Sequence, residues 1–160
     1  MRSQRRAGVR RCPDFATGRA YPGPVAQRRD RAPDDFEMRI PAQATELHSV
    51  RHALAKWIDG QGAPPEVGAE VTLAVHEAAA NAVEHAYPRR AGELIVRARH
   101  DDGQLVVVVE DEGEWRPPGR TDQRGRGLAL MHGLMDDVEI VPSGAGSGTR
   151  VTLRRQVAEQ

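Results

Sequence analysis

The sequence predicts an α/β fold, a two-layer sandwich in which a mixed β-sheet carries its helices on one face. Three observations lead to this prediction. Segments in both halves of the chain alternate apolar and polar residues, as half-buried strands do. An alanine-rich segment at 66–87 has helical apolar spacing. The run 105–109 is apolar without a break, which is typical of a central strand covered on both faces. The expected order of elements is β-α-α-β-β-loop-α-β-β.

The first strand and helix are predicted from two different periods. Phe36, Met38 and Ile40 alternate with charged residues, which indicates a half-buried strand that ends at Pro41. Apolar residues then recur at helical spacing over 47–58, and Gly60 is a typical stop signal. The sequence therefore predicts a strand followed directly by an amphipathic helix.

The second helix is the segment around which the rest of the chain is organised. It follows Pro64 and Pro65, which favour a helix start, and it ends before Pro88. Glu77 and Asn81 are four residues apart and lie on one face of it. They are either an ordinary wet face or the start of a polar site. The predicted buried stripe consists of Val67, Val71, Ala74, Ala78 and Ala82.

The second half of the chain repeats the strand pattern around one short helix. A turn at 101–103 separates two strands, and 114–124 reads as a mobile loop rich in proline and glycine. Gly125-Arg126-Gly127 then opens a helix, and a glycine-rich turn at 143–148 precedes the last strand. The four strands of this half are predicted at 93–100, 105–109, 138–141 and 149–154.

Residues 1–34 differ in composition from the rest of the chain. Nine arginines and four prolines occur before Asp34, with few large apolar residues and no apolar period. Such a segment buries too little apolar surface to offset its ordering entropy, so a disordered basic extension is expected. The alternative is a basic arm that contacts an acidic partner or nucleic acid. The folded domain is predicted at 35–156.

The composition excludes several classes of protein. The chain of 160 residues has a formal net charge of zero, which gives no reason to expect nucleic-acid or membrane-surface binding. No apolar run is long enough to span a bilayer, and no signal-peptide core follows the N-terminal arginines. The single cysteine, Cys12, has no partner for an internal disulfide, which fits a cytoplasmic location.

Three motifs with a use in nucleotide binding occur in order along the chain. Mg²⁺ takes few protein ligands, so the side-chain oxygen of Asn81 can suffice. Asp111, at a strand end, can accept a hydrogen bond from the amino group of adenine, and Gly113 lets the ring approach the backbone. Each motif alone is also an ordinary surface feature, so their order and spacing carry the prediction.

The third motif is the glycine-flanked helix start. Backbone N–H groups at Gly125 and Gly127, with no side chains over them, can bind phosphate. Arg124 and Arg126 lie beside them and can offset the phosphate charge. An ordinary loop is the alternative interpretation of this motif.

These motifs resemble a known family. The segments at 76–85 (HEAAANAVEH), 110–113 (EDEG), 125–131 (GRGLALM) and 148–151 (GTRV) are similar to those of anti-sigma regulatory factor type serine/threonine kinases. These kinases belong to the histidine-kinase-like superfamily with the Bergerat ATP-binding fold. The resemblance implies that Glu77 is the catalytic base and that Asn81 holds Mg²⁺. It also implies that Asp111, Gly113 and Thr149 receive adenine, and that Gly125 and Gly127 line the phosphates.

The resemblance also implies an activity and partners. We expect a kinase that uses ATP and Mg²⁺ to phosphorylate an anti-sigma factor antagonist, with sequestration of a sigma factor and homodimer formation as further expectations. One alternative is an ATP-gated anti-sigma binding module without phosphoryl transfer. Another is a detached histidine-kinase catalytic domain.

Overall fold

The computed structural model describes residues 35–85, 92–113, 124–143 and 148–157. These residues form one five-stranded sheet and three α-helices. The helices are α1 (Leu47–Gly60), α2 (Pro65–His85) and α3 (Arg124–Leu134). The strands are β1 (Phe36–Pro41), β2 (Glu93–Asp101), β3 (Gln104–Asp111), β4 (Asp137–Pro142) and β5 (Thr149–Gln156). Both the α/β class and the expected order of elements are confirmed.

The sheet has the strand order β1-β2-β3-β5-β4, and every neighbouring pair is antiparallel. The prediction of a mixed sheet is therefore wrong in this detail. The crossover through α3 does make β3 and β4 run in the same direction, since both are antiparallel to β5. However, β5 lies between them, so these two strands are not neighbours in the sheet.

The core lies between one face of the sheet and the helices. All five residues of the predicted α2 stripe are buried. They lie over alternating strand residues such as Leu94, Val107 and Leu153, which are fully buried. At the edge of the sheet, the rings of Phe36 and Trp57 are 6.0 Å apart and connect β1 to α1. This packing fixes α2 along the middle of the sheet.

In the described part of the chain, no helix lies on the opposite face of β3, but the side chains on that face are still buried. Val106 and Val108 point to this face and are 5% and 2% exposed. Arg97 lies opposite Val108 in the register and pairs with Glu110 at 3.0 Å, while Arg150 pairs with the same carboxylate at 2.8 Å. The arginine stems can cover apolar surface while their charged heads are paired. The prediction that β3 is covered on both faces is confirmed.

Two turns agree with the sequence in detail. Asp102 and Gly103 form the turn between β2 and β3, and both have positive φ angles of 47° and 73°. The end of α1 at Gly60 is confirmed, and the chain turns there through Gly62 with φ of 74°. The N-terminal extension 1–34, most of the loop 114–124 and the centre of the turn 143–148 lie outside the described residues.

Candidate functional site

The polar face of α2 meets the first turn of α3. A Cβ placed on Gly127 would lie 3.1 Å from Oε2 of Glu77 and 3.4 Å from Nδ2 of Asn81. The structure therefore brings together three of the residues that the sequence singled out. Glu77 and Asn81 are both partly exposed, whereas Ala78 and Ala82, which directly follow them, are buried. The polar pair thus lies at the rim of the core.

Glycine at position 127 has a steric reason. Contact distances of 3.0–3.4 Å are tighter than most real Cβ contacts, so a side chain here would press on both Glu77 and Asn81. Without one, the backbone of the first turn of α3 approaches the polar face of α2 directly. The N–H groups of residues 124–126 have no acceptor within the helix, because a helix that begins at Arg124 makes its first internal hydrogen bond from the N–H of Gly127.

A second group of residues lies at the end of β3. Oδ1 of Asp111 accepts a hydrogen bond from the backbone N–H of Gly113 at 2.8 Å. The same carboxyl group accepts hydrogen bonds from the backbone N–H and the hydroxyl of Thr149. Asp111, Gly113 and Thr149, predicted from separate motifs, are therefore in direct contact. Burial raises the pKa of Asp111, and these hydrogen bonds oppose the rise only in part.

Gly148 brings the start of β5 against the end of β3. It has a φ of 83°, and a Cβ on it would lie 2.0 Å from the backbone oxygen of Asp111. Any other residue would collide with that backbone. The sequence analysis placed Gly148 in a motif and in a turn but did not identify this contact, since spacing alone does not reveal a close approach between strands.

An ion pair fixes the start of α2 at one end of β5. Arg155 of β5 pairs with Glu70 at 2.6 Å, which fixes the N-terminal part of α2 beside the C-terminal end of β5. Thr149 is at the other end of this strand, six residues from Arg155, and six strand residues span about 20 Å. The Asp111 group, which is bonded to Thr149, therefore lies at the far end of β5 from Glu70.

Arg155 also connects α2 to the end of α3. Its second nitrogen pairs with Asp136 at 3.0 Å, and Asp136 accepts a further bond from the backbone N–H of Gln156 at 2.6 Å. The spacing of the sequence did not predict this link, which joins residues far apart in the chain. One residue of β5 thus links both helices that carry the polar site.

The remaining predicted residues lie on α3. Arg124 and Gly125 form its first two positions, and the side chain of Arg124 lies outside the described residues. Arg126 is exposed, one position before Gly127. The helix start therefore carries the expected glycines and one outward-pointing cation.

The donor set fits a nucleotide with its metal. Within the described ranges, no three acidic, histidine or cysteine side chains are grouped to hold a metal ion. An asparagine facing unpaired backbone donors is instead suited to an ion that takes most of its ligands from phosphate and water. The space that a Cβ at Gly127 would fill is bordered by Glu77 and Asn81. If a nucleotide binds here, Asn81 would hold its metal and the backbone donors at the start of α3 would hold its phosphates.

The fold and the site together define a class of protein. It is an α/β domain with a polar pair of helix residues at the rim of its core and a buried aspartate at a strand end. Within that class, the model of the histidine kinase-like ATPase domain family matches residues 40–155. The chain belongs to this family.

Two serine-protein kinases are similar to this chain over most of their length. The serine-protein kinase RsbW of Bacillus subtilis strain 168 is 32% identical over 124 residues, covering 67% of this chain and 78% of that protein. The RsbW of Bacillus velezensis is 32% identical over 139 residues, covering 76% of this chain and 85% of that protein.

A solved structure is also similar to this chain. It contains the RsbU and RsbW domains of a Mycobacterium tuberculosis protein and superposes with a TM-score of 0.65 at 27% identity. The match covers 79% of this chain and 33% of that protein, so the chain spans about one third of its length. As to membranes, none of the helices in the described parts of the chain is long and apolar enough to cross one.

Proposed function

We propose that this chain is an ATP-dependent serine/threonine protein kinase of the anti-sigma factor type, which phosphorylates an anti-sigma factor antagonist and sequesters a sigma factor. The observation that carries the proposal is the contact of Gly127 with Glu77 and Asn81. It places a carboxylate and an amide beside bare backbone donors, which is an arrangement suited to phosphoryl transfer. The similarity to serine-protein kinases supports the same activity.

Each residue has a role that follows from its position. The N–H groups at the first turn of α3 bind phosphate, because Gly125 and Gly127 place no side chain over them, and Arg126 adds positive charge beside them. Asn81 holds Mg²⁺, which would neutralise phosphate charge when bound. Asp111 accepts a hydrogen bond from the amino group of adenine. A carboxylate has about four acceptor sites, so it can do so while still bonded to Gly113 and Thr149.

Glu77 acts on the acceptor protein. The hydroxyl oxygen of a serine or threonine forms a bond to the γ-phosphorus while the bond from that phosphorus to the leaving oxygen of ADP breaks. The hydroxyl proton passes to the carboxylate of Glu77, which must be within hydrogen-bond reach of it. Glu77 lies one helical turn from Asn81, about 5–6 Å between Cβ atoms, so the base and the metal ligand serve the same phosphate.

Incubation with γ-labelled ATP, Mg²⁺ and the antagonist protein encoded nearest to this gene tests the proposal. We expect acid-stable phosphoserine or phosphothreonine on the antagonist, and calorimetric ATP binding that is lost with EDTA. Asn81→Ala should lose most of the metal-dependent affinity. Glu77→Gln keeps the shape of the side chain and should bind ATP within a few-fold of wild type, but transfer about 10²–10⁴ times more slowly.

Two results would replace this proposal. ATP-dependent binding of a sigma factor with no transfer to any antagonist would make the chain an ATP-gated binding module. An acid-labile phosphohistidine product would instead make it a histidine-kinase catalytic domain. A Glu77→Gln variant that transfers at the wild-type rate would leave Glu77 as an ordinary polar helix residue.

A further inference from the structure

Two exposed leucines lie next to the candidate site. Leu73 is 42% exposed and Leu130 is 36% exposed, and these are the exposed large apolar side chains within the residues that the structure describes. Leu73 is four residues before Glu77 on α2, and Leu130 is three residues after Gly127 on α3. Each leucine is therefore one helical turn from a residue of the polar contact.

The two helices run antiparallel, which places both leucines on the same side of that contact. Gly127 of α3 lies against Glu77 and Asn81, while Asp136, just beyond α3, connects through Arg155 to Glu70. Increasing residue number along α3 thus corresponds to decreasing number along α2. Leu73 and Leu130 both lie beyond Glu77 in the direction of Glu70. We call the surface formed by Leu73 and Leu130 the α2–α3 seam.

The seam is on the opposite side of Glu77 from the nucleotide positions. Asp111 and Thr149 lie at the far end of β5 from the Arg155–Glu70 pair, whereas Leu73 is only three residues from Glu70 on α2. A nucleotide reaching from Asp111 to Gly127 would therefore end at Glu77 and leave the seam uncovered. Whatever presents a hydroxyl to Glu77 from the remaining side must pass over the leucines.

Small, exposed residues adjoin the seam, which leaves room for the surface of a protein partner. Ala69 is one turn before Leu73, Gly133 is three residues after Leu130, and both are exposed. Small-molecule sites are usually concave and bury most of their ligand, whereas protein partners cover flat apolar surface with a few anchoring side chains.

We propose that the α2–α3 seam binds the acceptor protein, with Leu73 and Leu130 contacting an apolar side chain next to the phosphorylated serine or threonine. This inference rests on the proposed kinase function. Side chains one helical turn from the catalytic carboxylate can reach the residues next to the acceptor residue. In an extended segment, those neighbouring residues follow at about 3.3 Å each. The seam thus determines which hydroxyl-bearing segments reach Glu77.

Steady-state phosphorylation of the purified antagonist protein tests this inference. We expect Leu73→Gln and Leu130→Gln to raise KM for the antagonist about 5- to 20-fold, as expected for loss of part of a buried leucine contact. The affinity for ATP should stay within about twofold of wild type. Glutamine is a good helix former, so both exposed positions should tolerate it. His132→Gln, exposed on α3 away from the seam, is the matched control and should keep the wild-type KM.

The outcomes separate the inference from the function on which it rests. If wild type transfers phosphate and both leucine variants keep its KM, the seam inference is wrong and the kinase function stands. If wild type binds ATP but transfers nothing to the antagonist, the proposed function fails and the inference with it. Sedimentation of the same variants without the antagonist should show unchanged mass, because a change would make the seam an interface between copies of this chain.

Discussion

Asp111 carries a carboxyl group that three donors hold at the buried end of β3. The donors are the N–H of Gly113 and the N–H and hydroxyl of Thr149. Burial is the largest influence on its pKa and raises it, because water no longer solvates the charged form. The charged carboxylate that the proposed adenine contact needs is therefore formed at a cost to folding.

The cost predicts a pH dependence with a definite sign. A carboxyl group whose folded pKa is raised contributes stability that is fully present below its ordinary pKa of 3.8, and that is lost as the pH rises through the folded value. Relative to Asp111→Asn, which does not titrate, wild type should gain unfolding free energy as the pH falls through this window. Urea unfolding of both proteins over a pH series measures the difference.

A matched control distinguishes Asp111 from general acid effects. Asp59 is exposed at the end of α1, so the difference between wild type and Asp59→Asn should change little over the same pH range. If the stability of wild type relative to Asp111→Asn instead rises with pH, the hydrogen bonds outweigh burial and the pKa is lowered.

At the scale of elements, α2 and α3 form the site by approaching each other at one glycine. Gly127→Ala would place a methyl group 3.1 Å from Oε2 of Glu77, which is the end of a flexible side chain. We expect ATP affinity to fall about tenfold or more, since the methyl group covers the phosphate-binding turn. Alanine favours a helix over glycine by about 1 kcal/mol, which offsets the cost of the close contact. The unfolding free energy should therefore change by less than about 1 kcal/mol. Calorimetry and urea unfolding measure the two effects.

Gly133→Ala on the same helix provides the control. A Cβ at Gly133 meets nothing within 4 Å in the described structure, so alanine there should stabilise the helix by about 0.5–1 kcal/mol and leave ATP affinity unchanged. Equal ATP affinity in Gly127→Ala and Gly133→Ala would show that the contact between α2 and α3 is not part of the nucleotide site.

The elements themselves could be predicted because each obeys one local period. The α2 stripe, the alternation in β2 and the apolar run in β3 are short-range patterns that burial enforces directly. The position of β5 between β3 and β4 could not be predicted. It depends on pairing between strands far apart in the chain, as Val109 with Val151, which no local period encodes.

The candidate site also has one part that the sequence predicts and another part that it does not. Glu77 and Asn81 share a face because helical spacing puts them there, so the sequence predicted that pair. The contact of Gly148 with Asp111 and the link from Arg155 to Glu70 depend on tertiary register. Leu73 is four residues before Glu77, so the same helical spacing places it on the polar face of α2, and it is 42% exposed in the structure.

At the scale of the whole molecule, β1 is the first described strand and lies at one edge of the sheet, paired only with β2 among the described strands. Its partner contacts run from Phe36 to Pro41, and Ile40 is buried in the core. The first described strand thus begins at Phe36. The domain boundary between residues 34 and 35 stays a prediction from composition.

Deleting residues 1–34 should consequently leave the domain intact. The segment has nine arginines before Asp34 and no apolar period, so it offers little surface to bury against the sheet. We expect ATP affinity within about twofold of the full chain and a melting temperature within about 2 °C, since each lost kcal/mol would lower it by about 2–4 °C in a domain of this size. Calorimetry and thermal unfolding of both proteins in one buffer make the comparison.

As a control, a deletion extended through Pro41 removes β1 and should lower the melting temperature strongly. A drop of several degrees with the shorter deletion alone would mean that the basic segment packs on the domain, and a loss of antagonist binding without that drop would make it a partner-binding arm.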